Sequence, residues 1–119
     1  MQISILYTFK DEDVQNLLIS AREGGSFWAS FEDLHEIKED EDYYNYNLDG
    51  WGWLVYDQEA EAYDSEPPST LTRASIEKGL QLFAVHAPNH FQDFLGGRDD
   101  AITADVFLQI ALFGDVIYG

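Results

Sequence analysis

Tyr43-Tyr44-Asn45-Tyr46-Asn47-Leu48-Asp49-Gly50-Trp51-Gly52-Trp53-Leu54-Val55-Tyr56 sets an Asp-Gly pair between two aromatic runs. Asp-Gly flanked by alternating apolar residues is the signature of a two-residue type I′ β-hairpin. The register that follows places Leu48 against Trp51, Tyr46 against Trp53 and Tyr44 against Val55, so that one aromatic face is available to a core. The stretch therefore decides the strand half of the fold.

Toward the N-terminus, Gln2 to Phe9 alternates as a short strand. Thr8 to Asp11 has the form of a capping box, Asp11 to Asp13 suit the positive end of a helix dipole, and Val14, Leu17, Leu18 and Ala21 form a stripe ended by Gly24 and Gly25. Ser30 to Asp33 reads as a second helix start, with Phe31, Leu34 and Ile37 inward and Glu32, Glu36 and Glu39 outward. Glu39 to Asp42 has no apolar anchor and reads as a mobile connection.

On the C-terminal side, Glu61 to Tyr63 is a candidate edge strand and Ser65 to Ser69 a loop that leads into helices. Thr72 caps a helix carrying Ile76, Leu80, Phe83 and Ala84, which Pro88 breaks. Asn89 to Leu95 is a short helix stopped by Gly96-Gly97, and a last one spans about Ala101 to Phe113, with Asp99, Asp100 and Asp105 near its start. The fold class that results is α+β, a small antiparallel sheet with a central hairpin packed against three to five helices. A chain of 119 residues that is 45% hydrophobic has the material for one core, hence a single domain over 1–119.

The chain has 23 acidic residues against 6 basic ones, a net charge of −17. Residues 32–66 concentrate it, with thirteen acids against Lys38. Such a field repels nucleic acid and anionic membranes and attracts basic partners. The absence of cysteine gives no support for an oxidising compartment, and the first residues lack a secretory signal's basic and apolar regions, so a cytoplasmic location is expected.

Catalytic and metal motifs fare poorly. Asn45-x-Asn47-x-Asp49-Gly50 begins like a calcium loop, but its twelfth position is Tyr56 where a bidentate Glu belongs. His86, His90 and Asp93 have ligand spacing that Pro88 interrupts, and His35 stands alone among acids. No phosphate loop, nucleophile elbow or thiol is present, so no enzyme and no cofactor are expected.

Carboxylates can instead copy phosphates. Alternate strand residues such as Asp57, Glu59 and Glu61 would lie about 6 to 7 Å apart, and helical acids three or four apart about 5 to 6 Å, comparable with neighbouring phosphates. The candidate partner-binding residues are Glu32, Asp33, Glu36, Glu39, Asp40, Glu41, Asp42, Asp49, Asp57, Glu59, Glu61, Asp64 and Glu66. Tyr43 or Tyr56 on the outward hairpin face could add cation–π contacts.

Through Glu39 to Asp42 and Asp57 to Glu66, the chain resembles the bacterial DNA-mimic proteins, and its size, acidity and aromatic run are similar to those of the mimic that binds the histone-like nucleoid protein HU. The resemblance implies a cytoplasmic monomer that occupies HU's DNA-binding face and competes with DNA. Two rival readings stand beside it, an inhibitor of a restriction or CRISPR nuclease by the same mimicry and an acidic divalent-metal-binding module. Residues 23–28 and 103–109 are also similar to a small domain of phage and plasmid proteins of unknown function.

Overall fold

The computed structural model describes residues 1, 7–59 and 67–119. In chain order these form α1 (Asp11–Ser20), a π turn (Ala21–Gly25), β1 (Ala29–Asp33), a 3-10 turn (Asp40–Tyr43), β2 (Trp53–Asp57), β3 (Ser69–Leu71), α2 (Arg73–His86), α3 (Pro88–Leu95) and α4 (Ala101–Phe113). This is an α+β fold, an open antiparallel sheet in the order β1-β2-β3 with four α-helices around it. The strands expected at Gln2 to Phe9 and Glu61 to Tyr63 fall on segments outside the described residues, apart from Tyr7 to Phe9, which lead irregularly into α1.

The helices follow their local signals. α1 carries Asp11, Glu12 and Asp13 in its first turn and buries Val14, Leu17 and Leu18. Its N-cap is Lys10, without a side-chain cap, so the box expected from Thr8 does not form; the Lys10 carbonyl accepts from Asp13 and Val14 instead. α2 starts on the reciprocal pair Thr72 and Ser75, each side chain accepting from the other's backbone N–H. Pro88, which has no N–H to lose, is the first residue of α3. Asp100 caps α4 by accepting from the Thr103 N–H at 2.9 Å, and Gly114 closes it at φ 80°.

α4 is the axis of the core, burying Ala104, Phe107, Leu108 and Ile110. α2 approaches it so closely that a Cβ on Gly79 would stand 2.7 Å from the Ala111 Cβ. Phe83 meets Phe107 at 5.5 Å between ring centroids, and Trp28 and Phe113 close at 5.3 Å. Among the described residues no helix is long and apolar enough to cross a membrane.

Besides β3, whose Ser69 falls at the end of the stretch read as a loop, the sheet departs from the sequence reading twice. β2 does form, but its partner is β1, with Phe31 opposite Val55 and Asp33 opposite Trp53. Residues 43–48 are not a strand. Asparagine offers the backbone a local alternative to a ladder: Asn45 Oδ1 accepts from the Asn47 N–H, and the Leu48 N–H bonds the Asn45 carbonyl. The Trp51 N–H then bonds the Leu48 carbonyl across Asp49-Gly50, with Gly50 at φ 75° and, among the described residues, no non-glycine residue at positive φ. A type I′ turn needs both central residues at positive φ, so this is the type II pattern, which does not continue as a tight hairpin. The aromatic contacts change with it: Tyr44 meets Trp53 edge-on at 5.7 Å and Tyr46 meets Trp51 at 6.5 Å.

The helix expected from Ser30 onward is the second departure. β2 buries Trp53 and Val55 on one face and must pair its backbone groups, so the segment 29–33 serves it as edge strand despite its local helical spacing. Phe31 then packs edge-on to Trp53 at 5.4 Å, and Glu32 turns outward beside Tyr56, whose hydroxyl donates to it at 3.1 Å.

Candidate acidic interface

The site is built from the tryptophans outward. Trp51 and Trp53 lie 5.2 Å apart between ring centroids, and both indole N–H groups donate to one acceptor, the Tyr43 carbonyl, at 3.1 and 3.2 Å. That carbonyl ends the 3-10 turn Asp40–Tyr43. The turn's other end is tied by Asp42, whose Oδ2 accepts from the Lys38 and Glu39 N–H groups at 3.0 and 3.1 Å. Glu39 to Asp42 is therefore an anchored turn and not the mobile connection its composition suggests.

The candidate acids divide by what they touch. Asp33 receives both guanidinium nitrogens of Arg22, at 2.7 and 3.1 Å, while that guanidinium sits over the rings of Phe31, Tyr43 and Trp53 at 5.0 to 5.7 Å. Asp57 accepts from the Tyr118 hydroxyl at 2.6 Å and from the Glu59 N–H. Asp33, Asp42 and Asp57 thus hold the fold together. Glu36, Glu39, Asp40, Glu41, Asp49 and Glu59 are exposed, and none is in an ion pair among the described residues.

Two of the expected spacings are not present. β2 stops at Asp57 and Glu59 lies in the turn beyond it, so Asp57 and Glu59 do not alternate along one strand. Glu32, Glu36 and Glu39 share no helix, because Glu32 is on β1 and Glu36 in the loop after it. The structure instead gathers Glu36, Asp42 and Asp49 with His35, Lys38 and Leu48 around a shallow pocket of about 380 Å³. Asp57 and Glu59 are at the opposite end of the sheet, since Asp57 pairs with Ala29 and Trp53 with Asp33. Glu61, Asp64 and Glu66 lie outside the described residues.

Other sequence candidates resolve locally. Tyr56 does face outward beside Glu32, while Tyr43 packs against the Arg22 guanidinium. His86 ends α2 and is exposed, whereas His90 on α3 bonds the Thr103 hydroxyl through Nδ1 at 2.9 Å. Among the described residues no three His, Asp or Glu side chains form a metal-ligating group. Comparison of the chain with protein-family models, curated proteins and solved structures finds no match.

Crowding leaves its mark on protonation. Glu39 is held above the ordinary carboxylate range by a side-chain hydrogen bond with Glu41, then by the charges of Glu41 and Asp42. Asp99 is also raised, mainly by burial, while Asp100 is lowered by the Thr103 N–H it accepts from. A raised group contributes stability below its unfolded pKa that is lost as pH climbs through the folded one, and a lowered group does the reverse. Glu39→Gln removes the first effect. Its melting temperature should gain on the wild type between about pH 4 and about pH 7, and salt should narrow the gap at neutral pH by screening the repulsion. A constant difference across this range would show that Glu39 carries no such repulsion.

Proposed function

We propose that the protein is a non-enzymatic DNA mimic that binds the DNA-contacting face of a basic nucleoid protein of the HU type and competes with DNA for it. The observation that supports this reading is the anchoring of the acidic turn. Glu39, Asp40 and Glu41 stand on a backbone held by two indole N–H groups and the Asp42 carboxylate, with Glu36 and Asp49 beside it. A turn whose backbone is held in place this way loses little backbone freedom on docking, which lowers the ordering cost of binding. A Lys- or Arg-lined groove that recognises phosphates by charge finds in them a comparable set of acceptors.

The test is displacement of DNA from HU at low salt. Wild-type protein should release DNA, with an effect that declines as ionic strength rises. Combining Glu36→Gln, Asp40→Asn and Glu41→Gln removes three exposed contacts of about 0.2–1 kcal/mol each and should weaken competition roughly 3- to 160-fold. The matched set Glu77→Gln, Asp93→Asn and Asp115→Asn, with its first two members on α2 and α3 and the third beyond α4, should change it far less. No displacement at low salt, or equal losses from the two sets, would refute the assignment.

A further inference from the structure

His35 stands in the loop between β1 and the 3-10 turn, partly buried, with its ring 6.1 Å from that of Trp51. Its Nε2 is 2.8 Å from the Asp42 carbonyl oxygen. A carbonyl can only accept, so Nε2 carries the proton, and in the neutral ring Nδ1 is a bare lone pair. That nitrogen is shielded from solvent and has no hydrogen-bond partner among the described residues.

A second proton must go to Nδ1, where it would create a charged, buried donor without an acceptor, a costly arrangement. Relief requires the ring to turn. The charged groups sharing its surroundings are Glu36 and Lys38 on its own segment, Asp42 from the 3-10 turn and Asp49 from the turn before β2. Three of the four are carboxylates, so the pocket can receive an imidazolium. Turning toward it breaks the bond to the Asp42 carbonyl.

We propose that His35 is a proton-operated latch on the acidic turn, closed when the ring is neutral and open when it is protonated, and that opening weakens docking of the basic partner. The second half rests on the DNA-mimic reading, and the first does not. Opening would both loosen the carboxylates and place a positive charge among them.

Nitrogen-15 NMR of the full chain between about pH 5.5 and about pH 8, the span over which imidazoles change charge, tests the latch without any partner. The Nε2–H tautomer is expected at the upper end, and the amide signals of Lys38, Glu39, Asp42 and Tyr44 should shift with the same midpoint as the ring. Those shifts should vanish in His35→Gln. An Nδ1–H tautomer, or a ring that titrates while those amides stay still, would overturn the latch.

Binding to purified HU at the two pH values tests the coupling. The wild type should bind about fivefold more weakly at the lower pH, and His35→Gln should lose that difference to within about twofold. The same pH dependence in His35→Gln would overturn the coupling. Absence of HU binding at both values would overturn the coupling together with the mimic reading, while the NMR result still decides the latch.

Discussion

Trp53→Ala is expected to lower the unfolding free energy by about 3–5 kcal/mol, the range for truncating a fully buried large aromatic residue. Trp53 has no exposed surface and serves four purposes at once. It fills the core side of the central strand, packs edge-on with Phe31 and Tyr44, underlies the Arg22 guanidinium at 5.0 Å and donates to the Tyr43 carbonyl. Urea denaturation gives the stability loss. Hydrogen exchange at Asp42 and Tyr44 should accelerate by more than the global loss accounts for, because the turn has lost one of its two indole anchors. Trp53→Phe keeps a six-membered ring but loses the pyrrole portion and the donor, so it should cost less than alanine, with about 1 kcal/mol of the loss from the hydrogen bond. If alanine and phenylalanine destabilise equally, the ring is not what holds this part of the sheet.

Gln109→Leu should cost about 2–4 kcal/mol although it exchanges a polar side chain for an apolar one at a site with no exposure. The Gln109 amide is saturated. Its Nε2 donates to Asp105 Oδ2 and the Tyr118 carbonyl, and its Oε1 accepts from the Ile117 and Tyr118 N–H groups. Leucine removes all four bonds and loosens the tail, which also carries the Tyr118 ring stacked on Trp28 and its hydroxyl on Asp57. Gln109→Glu keeps the acceptor but turns an oxygen toward the Asp105 carboxylate. Its deficit at neutral pH should therefore shrink as pH falls and the new carboxyl takes up a proton. A fully stable leucine variant in chemical denaturation would show that the tail is held by packing alone.

How far the sequence could be read depends on the range of the interaction responsible. Thr72, Pro88, Gly96-Gly97 and the bounds of α4 were legible because caps, breakers and dipole acids act within a turn of where they stand. The pairing of residues 53–57 was not. Asp-Gly promises a hairpin, but Asn45 and Asn47 bend the preceding chain away, and a segment more than twenty residues earlier supplies the partner strand. The acids of the candidate interface were visible by composition alone, yet their division into bound and exposed groups was not. Asp33 depends on Arg22, eleven residues away, and Asp57 on Tyr118, sixty-one away. His35 and the shared carbonyl of Tyr43 leave no local trace, since each acquires its role from an element that arrives later in the chain.

The caging of Arg22 affects how an approaching molecule meets the protein. Its charge is directed inward, against rings and one carboxylate, so a cation on this side of the molecule does little to blunt the potential projected into solvent. A basic partner of the proposed kind would then be steered before any contact forms, with ionic strength acting mainly on the speed of capture and residence time left to the short-range fit.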